Sequence, residues 1–231
     1  MEIFEREEIV VGSQNLEKLK QSKVCVFGVG GVGGFCVEAL ARSGIGNIDV
    51  VDNDIVVSSN LNRQIIATND TLGMAKVDVI EGRIKSINKD CIVNKFKLFY
   101  EPNMDFDFKK YDYVIDCIDS LKSKIDIIEK CKKNNVNILS SMGMGNKINP
   151  CDIEVSDIFK TSVDPIAKIL RRELKLRHIN SLKVVYSKEA PLKMIDTKTT
   201  GSVSFVPSVA GLVLASEVIK DICGLKNRKG A

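Results

Sequence analysis

A glycine-rich turn between an apolar strand and a helical segment constrains the fold of this chain more than any other feature. The run KVCVFG (23–28) is typical of a buried strand, and GFCVEALARSG (34–44) has the apolar spacing of a helix. The glycines of the connection are Gly28, Gly30, Gly31 and Gly33. Such glycines permit a tight turn and let backbone N–H groups approach phosphate oxygens at a helix N-terminus. The sequence therefore predicts an α/β protein that binds a nucleotide at this turn.

Strand-like and helix-like segments continue to alternate as far as residue 145. Further strands are predicted at 47–52, 92–99, 113–119 and 136–143, and further helices at 72–88 and 121–135. Strands that alternate with helices favour right-handed crossovers. We expect a Rossmann-like fold, with a mostly parallel central sheet and helices on both faces.

The pattern changes after Gly145, where a helix at 164–175 and a strand at 182–187 lie among loops. A final helix is predicted at 207–224 and ends at Gly224. We expect one domain over residues 1–231. It would comprise a nucleotide-binding core (1–145), a basic substrate-binding lobe (146–206) and a C-terminal helix (207–224) that returns to the core.

The composition, 44% hydrophobic and 28% charged, is that of a soluble globular protein. The acidic N-terminal run MEIFEREEIV does not resemble a signal peptide. The longest apolar stretch near the C-terminus contains Glu217 and is too short to span a bilayer. We therefore expect a cytoplasmic protein without a membrane segment.

The seven cysteines lie mostly among apolar residues, and no two of them form a CxxC pair. An odd number of cysteines in a cytoplasmic chain indicates reduced, buried thiols. A structural zinc site made of four thiolates is not expected.

Asp52 ends the second predicted strand, from which an acid can bind the hydroxyls of a ribose. This arrangement fits both NAD and ATP. A dehydrogenase would need a site for hydride transfer, and the only histidine, His178, lies in the basic segment, where a surface or packed role is its ordinary interpretation. A non-enzymatic or NAD-binding module stays an alternative.

The segment SSNLNRQ (58–64) favours ATP, because a triphosphate needs cations and hydrogen-bond donors beyond one helix N-terminus. Asn60, Arg63 and Gln64 supply donors, and Lys76 opens the next helical region. Asp119, at the C-terminal end of the strand YVIDCID, is placed to hold Mg²⁺. Asp54 is a second acid near the phosphates. Taken singly, these residues have ordinary alternatives: a capped loop, a solvated lysine and a helix N-cap.

The elements GVGGVGG, VDNDIVVSSNLNRQ, GMAKVDV and DCIDS, in this order, resemble the ThiF/MoeB/HesA superfamily, relatives of ubiquitin-activating enzymes. The resemblance extends from about residue 4 to about residue 224. It implies an adenylation fold that activates a carboxylate with Mg-ATP. It also implies that Asp52 contacts the ribose and that Asp119 binds Mg²⁺. The residues that it assigns to the phosphates are Asn60, Arg63, Gln64 and Lys76.

An arginine near the N-terminus of superfamily members reaches the ATP of a dimer partner. Arg6 matches it by its distance before Gly12, and the resemblance thus implies a homodimer. A surface arginine in an acidic helix is the alternative interpretation of Arg6.

The region from Asp157 to Pro191 looks like that of the tRNA threonylcarbamoyladenosine dehydratases, through D-x-x-K-T-x-x-DP and V-x-S-x-E. These enzymes adenylate the carboxylate of the modified adenosine and close a ring with release of AMP. No cysteine lies between Cys151 and Cys223, which disfavours covalent transfer through a late-loop thiol. The alternative is an adenylyltransferase that activates the C-terminus of a ubiquitin-like sulfur carrier or a peptide.

Charge also favours a tRNA partner. Residues 160–198 contain ten lysines and arginines against four acids, a local net charge of +6 in a chain of net charge +4. The candidates for tRNA contact are Lys168, Arg171, Arg172, Lys175 and Arg177. A solvated helix face is the alternative interpretation of this run. The sequence leaves open whether a sulfur-transfer protein is a further partner.

Overall fold

A computed structural model describes residues 3–225 as a seven-stranded sheet between two layers of helices. The strands are β1 (Lys23–Phe27), β2 (Asn47–Val51), β3 (Ile92–Phe96), β4 (Tyr113–Asp116), β5 (Asn137–Ser141), β6 (Ile153–Asp157) and β7 (Lys183–Ser187). The helices are α1 (Glu5–Val11), α2 (Ser13–Gln21), α3 (Gly33–Arg42), α4 (Lys76–Ile87), α5 (Leu121–Lys133), α6 (Pro165–Leu176) and α7 (Phe205–Cys223). Residues 1–2 and 226–231 of the predicted domain lie outside the described residues.

The strand order is β3-β2-β1-β4-β5-β7-β6. All neighbouring strands are parallel except β6 and β7, which are antiparallel. This arrangement confirms the predicted mostly parallel α/β sheet. Since parallel strands end at the same edge, the loops that follow β1, β2, β4 and β5 meet on one side of the molecule.

Successive side chains of β1 point to opposite faces of the sheet and therefore enter different parts of the core. Val24 and Val26 pack with side chains of α3, α4 and α7. Cys25 and Phe27 pack with side chains of α5 and α6. A strand buried on both faces needs a continuous apolar run, which is why VCVF lacks polar alternation.

Two predicted boundaries near the candidate site are wrong. The helix predicted at 72–88 begins at Lys76. Gly73 has a φ of +83°, and the backbones of Gly73 and Met74 form hydrogen bonds with Val56, so these residues cannot be helical. The strand predicted at 113–119 ends at Asp116, whose carboxylate accepts a hydrogen bond from the N–H of Ile118 and turns the chain. Asp119 therefore lies in the loop before α5 and not in the strand.

Three elements were not predicted: the N-terminal helices α1 and α2, and the edge strand β6. At the other end of the chain, α7 packs closely on α3, since a Cβ at Gly211 would lie 2.3 Å from the carbonyl oxygen of Val32. Within residues 3–225, no helix is both long and apolar enough to cross a membrane.

Candidate active site

The loops at the carboxyl ends of β1, β2, β4 and β5 enclose a chamber of about 440 Å³. The predicted ATP-binding and metal-binding residues in its lining are Gly28, Gly30, Gly31, Asp52, Asp54, Asn60, Arg63, Gln64, Lys76 and Asp119. These positions are spread over more than 90 residues of sequence, and the topology of the sheet brings them together. A chamber of this size is within the range of small-molecule sites.

The glycine loop forms one wall of the chamber. Gly28 has a φ of +84°, and a Cβ there would lie 2.9 Å from the carbonyl oxygen of Cys117. The N–H groups of Gly30 and Gly31 have no acceptor among residues 3–225, as expected just before the first turn of α3. Donors of this kind suit a phosphate.

Gly33, which was predicted to bind the cofactor, does not line the chamber. It is the first residue of α3, and a Cβ there would lie 1.8 Å from the carbonyl oxygen of Gly28. The lack of a side chain at Gly33 lets α3 pack against the glycine loop. The position that a Cβ would occupy is already filled by the backbone of Gly28.

Asp52 ties the glycine loop to the end of β2. Its Oδ2 accepts a hydrogen bond of 2.8 Å from the N–H of Val29, and its Oδ1 accepts one of 2.8 Å from the N–H of Asp54. A carboxylate oxygen accepts more than one hydrogen bond, so both atoms retain capacity for ribose hydroxyls.

Lys76 and Asp54 form an ion pair in the chamber, with 2.7 Å between Nζ and Oδ2. The lysine is buried and the carboxylate is exposed. Because Lys76 is the first residue of α4, its ammonium enters the chamber from the end of a helix that is fixed by the sheet.

The segment 58–64 contributes three side chains with different surroundings. The Oδ1 of the buried Asn60 accepts a hydrogen bond of 3.1 Å from the N–H of Val57, and it thereby stabilises the turn. Arg63 donates from Nη1 to the carbonyl oxygen of Ser59 at 2.7 Å, which leaves other guanidinium donors for a ligand. Gln64 is buried in the chamber wall, and its Oε1 has no hydrogen-bond partner among residues 3–225. A buried amide oxygen without a partner fits a site that binds a polar ligand.

Asp119 is exposed at the chamber wall. No group of three or more His, Cys, Asp or Glu side chains that could hold a metal occurs within residues 3–225. A single carboxylate such as Asp119 could hold Mg²⁺ together with phosphate oxygens and water, a common arrangement for this ion.

Comparison with known proteins agrees with this geometry. The model of the ThiF family matches residues 4–230. The chain belongs to the ThiF family. This confirms the resemblance inferred from the four sequence elements GVGGVGG, VDNDIVVSSNLNRQ, GMAKVDV and DCIDS.

Several ThiF-family relatives have the same name. The tRNA threonylcarbamoyladenosine dehydratase of Bacillus subtilis (strain 168) is 41% identical over 238 residues, which cover 95% of this chain and 94% of that protein. The Escherichia coli (strain K12) protein of the same name is 41% identical over 166 residues, which cover 71% of this chain and 62% of that protein. The crystal structure of the E. coli enzyme in complex with ATP has a TM-score of 0.88 and 34% identity, with coverage of 98% of this chain and 96% of that chain.

Arg6 does not line the chamber of its own chain. It is exposed on α1. This location is compatible with a contact to a second ThiF-type subunit, and the dimer stays a prediction.

The predicted tRNA-binding residues lie on or just after α6, whose first turn places Ile166 in the chamber wall. Three of them have intramolecular partners, in the pairs Arg171–Thr161, Arg172–Glu173 and Arg177–Glu173. Lys168 and Lys175 are exposed, and Lys175 lies 5.9 Å from the centroid of the Phe159 ring. Of the five predicted residues, these two lysines are therefore the most accessible to a phosphate backbone.

A buried ion pair behind the chamber, between Lys124 in its wall and Asp116, was not predicted from the sequence. A signal was present for both residues. Lys124 lies on the buried stripe of α5 at helical spacing from Ile127 and Ile128, and Asp116 directly follows the apolar residues of β4. A buried charge needs a partner, and each residue is the partner of the other.

Cys117 is the cysteine that lines the chamber. Burial raises the pKa of its thiol well above the ordinary value of 9.0, so the thiol is protonated at neutral pH. A protonated thiol is a poor nucleophile.

Proposed function

We propose that this chain is an ATP-dependent tRNA threonylcarbamoyladenosine dehydratase. In this reaction the carboxylate of the modified adenosine is adenylated with release of pyrophosphate. An internal nucleophile of the same group then attacks the activated carbonyl carbon, the bond to AMP breaks, and a ring closes. The net change in the nucleoside is the loss of one water.

The observation that carries this proposal is the B. subtilis relative of that name, which aligns over 95% of this chain and 94% of its own length. The glycine loop, the segment 58–64 and Lys76 line one chamber, which supports ATP as the co-substrate. The chain therefore combines an ATP-type site with whole-length similarity to a dehydratase of modified tRNA.

The chain's own residues position and neutralise the reacting groups. The N–H groups of Gly30 and Gly31 and the side chains of Arg63 and Lys76 receive the phosphates. Asp52 receives the ribose, and Asn60, Gln64 and Asp54 complete the polar wall. Mg²⁺, when held by Asp119, would offset the negative charge that develops as pyrophosphate leaves. Loss of one such charge-stabilising group costs on the order of 10²–10³ in rate.

The proposal includes two macromolecular partners. A tRNA with the modified adenosine would contact α6 and the loops around it, while its anticodon region enters the chamber. A second copy of the chain would form a homodimer in which Arg6 reaches the nucleotide of the other subunit. In this arrangement, the core (1–145), the basic lobe (146–206) and the C-terminal helix (207–224) act as parts of one domain.

The deciding experiment is AMP release from ATP and Mg²⁺ by the purified protein, with mass spectrometry of the digested tRNA nucleosides. The substrate is tRNA with threonylcarbamoyladenosine, and the matched control is the same tRNA without the modification. We expect AMP release together with loss of one water from the modified nucleoside, and neither with the control tRNA.

Two results would overturn the proposal. AMP release that depends on a small carrier protein or peptide, with the nucleoside unchanged, would instead identify a carrier-protein adenylyltransferase. Failure to bind ATP, with retention of a dinucleotide, would identify an NAD-binding module.

A further inference from the structure

A buried lysine shares the chamber wall with the acid that is proposed to hold Mg²⁺. Lys124 is only 1% exposed, and it forms part of the chamber wall together with Asp119. Its Nζ donates to Oδ2 of Asp116 at 2.7 Å, to the carbonyl oxygen of Ser141 at 3.0 Å and to Oγ of Ser140 at 3.3 Å. An ammonium has three donors, so these contacts use all of them. Lys124 therefore acts through its neighbours and not by direct contact with a ligand.

The first neighbour, Asp116, is fully buried at the last position of β4. Its Oδ2 also accepts a hydrogen bond of 2.5 Å from Oγ of Ser140, and its Oδ1 accepts one of 3.2 Å from the N–H of Ile118. The second bond shapes the turn that leads directly to Asp119. The orientation of Asp116, which Lys124 fixes, is thus transmitted along the backbone to Asp119.

The second neighbour, the carbonyl group of Ser141, belongs to the last residue of β5. The chain continues from there through Met142 and Gly143, which line the chamber. One ammonium group therefore joins the ends of β4 and β5. It fixes the position of the Asp119 loop relative to the chamber wall at Met142 and Gly143. A buried, fully hydrogen-bonded network of this kind is rigid.

We propose that Lys124 is a positioning residue that orients Asp119 toward Mg²⁺ through Asp116. This inference rests on the proposed function only for the role of Asp119 as the metal-binding acid. Groups that orient a metal ligand from behind contribute about 10- to 100-fold to metal affinity in other proteins. A similar loss is expected when Lys124 is replaced by an apolar residue.

The chain offers a matched control in a second buried pair, Lys147 and Asp164, with 3.6 Å between Nζ and Oδ2. Lys147 is 4% exposed and is absent from the chamber lining. The substitutions Lys124→Met and Lys147→Met each leave a buried carboxylate without its cation, so both should lower the melting temperature. Only the first should change the response to Mg²⁺.

The test measures binding of a non-hydrolysable ATP analogue by calorimetry across a series of Mg²⁺ concentrations. For Lys124→Met we expect the Mg²⁺ concentration at half-maximal binding to rise about tenfold or more, with unchanged binding in the absence of Mg²⁺. For Lys147→Met we expect the wild-type Mg²⁺ response. Should Lys124→Met not fold, Ser140→Ala removes one bond to Asp116 and should shift the response in the same direction by a smaller factor.

A wild-type Mg²⁺ response in the Lys124 and Ser140 variants, or an equal shift in Lys147→Met, would overturn the inference. This outcome differs from failure of the proposed function. Wild-type protein that binds the analogue with Mg²⁺ but leaves the modified tRNA unchanged would reject the dehydratase activity and not the role of Lys124. Wild-type binding that does not respond to Mg²⁺ would reject the metal role of Asp119 and, with it, this inference.

Discussion

The ammonium nitrogen of Lys76 lies 2.7 Å from Oδ2 of Asp54, and the N–H of Lys76 donates to the carbonyl oxygen of Asp54 at 3.0 Å. The first contact joins the start of α4 to the loop after β2, and the second fixes the distance between them. The ammonium of this pair is buried and the carboxylate is exposed. The pair thus holds the ammonium of Lys76 in the part of the chamber where the phosphates of ATP are proposed to bind.

We expect Lys76→Ala to lower the rate of ATP–pyrophosphate exchange, with modified tRNA present, by about 10²–10³. The reason is the loss of a point charge at the phosphates. Lys89→Ala is the matched control, since Lys89 is an exposed lysine just beyond the other end of α4. Exchange within about twofold of wild type in the Lys76 variant would contradict its proposed role.

Arg63→Ala and Asp119→Ala should each lower the rate of this exchange by about 10²–10³, with little change in melting temperature. Arg63 is half-buried with local hydrogen bonds, and Asp119 is exposed, so neither side chain contributes much to the core. Melting curves measured beside the exchange assay check both expectations. The exposed Asp90 provides a control, since Asp90→Ala should leave exchange and stability unchanged.

The fold and most of the candidate site followed from local sequence patterns. The glycine loop and the polar segment 58–64 are each continuous in sequence, and parallel strands force their ends to one edge. The start of α4 could not be predicted, because it depends on the pairing of Val56 with residues near Gly73. The Lys124–Asp116 pair was missed because the sequence does not show that both side chains are buried. Their burial results from the packing of α5 on the sheet.

Two glycines of the loop should respond differently to alanine. A Cβ at Gly33 would lie 1.8 Å from the carbonyl oxygen of Gly28. Because the backbone would have to shift to remove this clash, Gly33→Ala should lower the melting temperature strongly. A Cβ at Gly30 would meet only Nε2 of Gln64 at 3.7 Å. Gly30→Ala should therefore fold normally and bind ATP more weakly. Calorimetric titration with ATP and thermal melting separate the two effects, and equal loss of stability in both variants would refute the distinction.

Glu38 on α3 links this helix to α4 through Arg83, and it also pairs with Arg42. Burial by itself raises the pKa of Glu38, but hydrogen bonds from Arg83 and Arg42 outweigh it and hold the pKa below the ordinary value of 4.5. A carboxyl group with a lowered folded-state pKa stabilises the fold above its unfolded pKa, and this stabilisation is lost as pH falls through the folded value. Glu38→Gln should thus lower the melting temperature at neutral pH, and the deficit should shrink below about pH 4.5. The control is Glu17→Gln in the exposed ion pair with Lys20, where the change in melting temperature should be small.

The last prediction concerns Lys168 and Lys175, the two exposed lysines of α6 that lack a carboxylate partner among residues 3–225. A lysine that contacts a phosphate adds to affinity by releasing a counterion, so its loss weakens binding and flattens the salt dependence. The double variant Lys168→Ala/Lys175→Ala should bind tRNA more weakly, with the slope of log K against log salt reduced by about 1 for each lysine. Binding of the ATP analogue should not change, because neither lysine lines the chamber. Arg172→Ala is the matched control on the same helix, since Arg172 is paired with Glu173 and should affect the slope less. If the slope of log K against log salt in the double variant equals that of wild type, these lysines do not contact tRNA, and the tRNA-binding surface lies elsewhere than on α6.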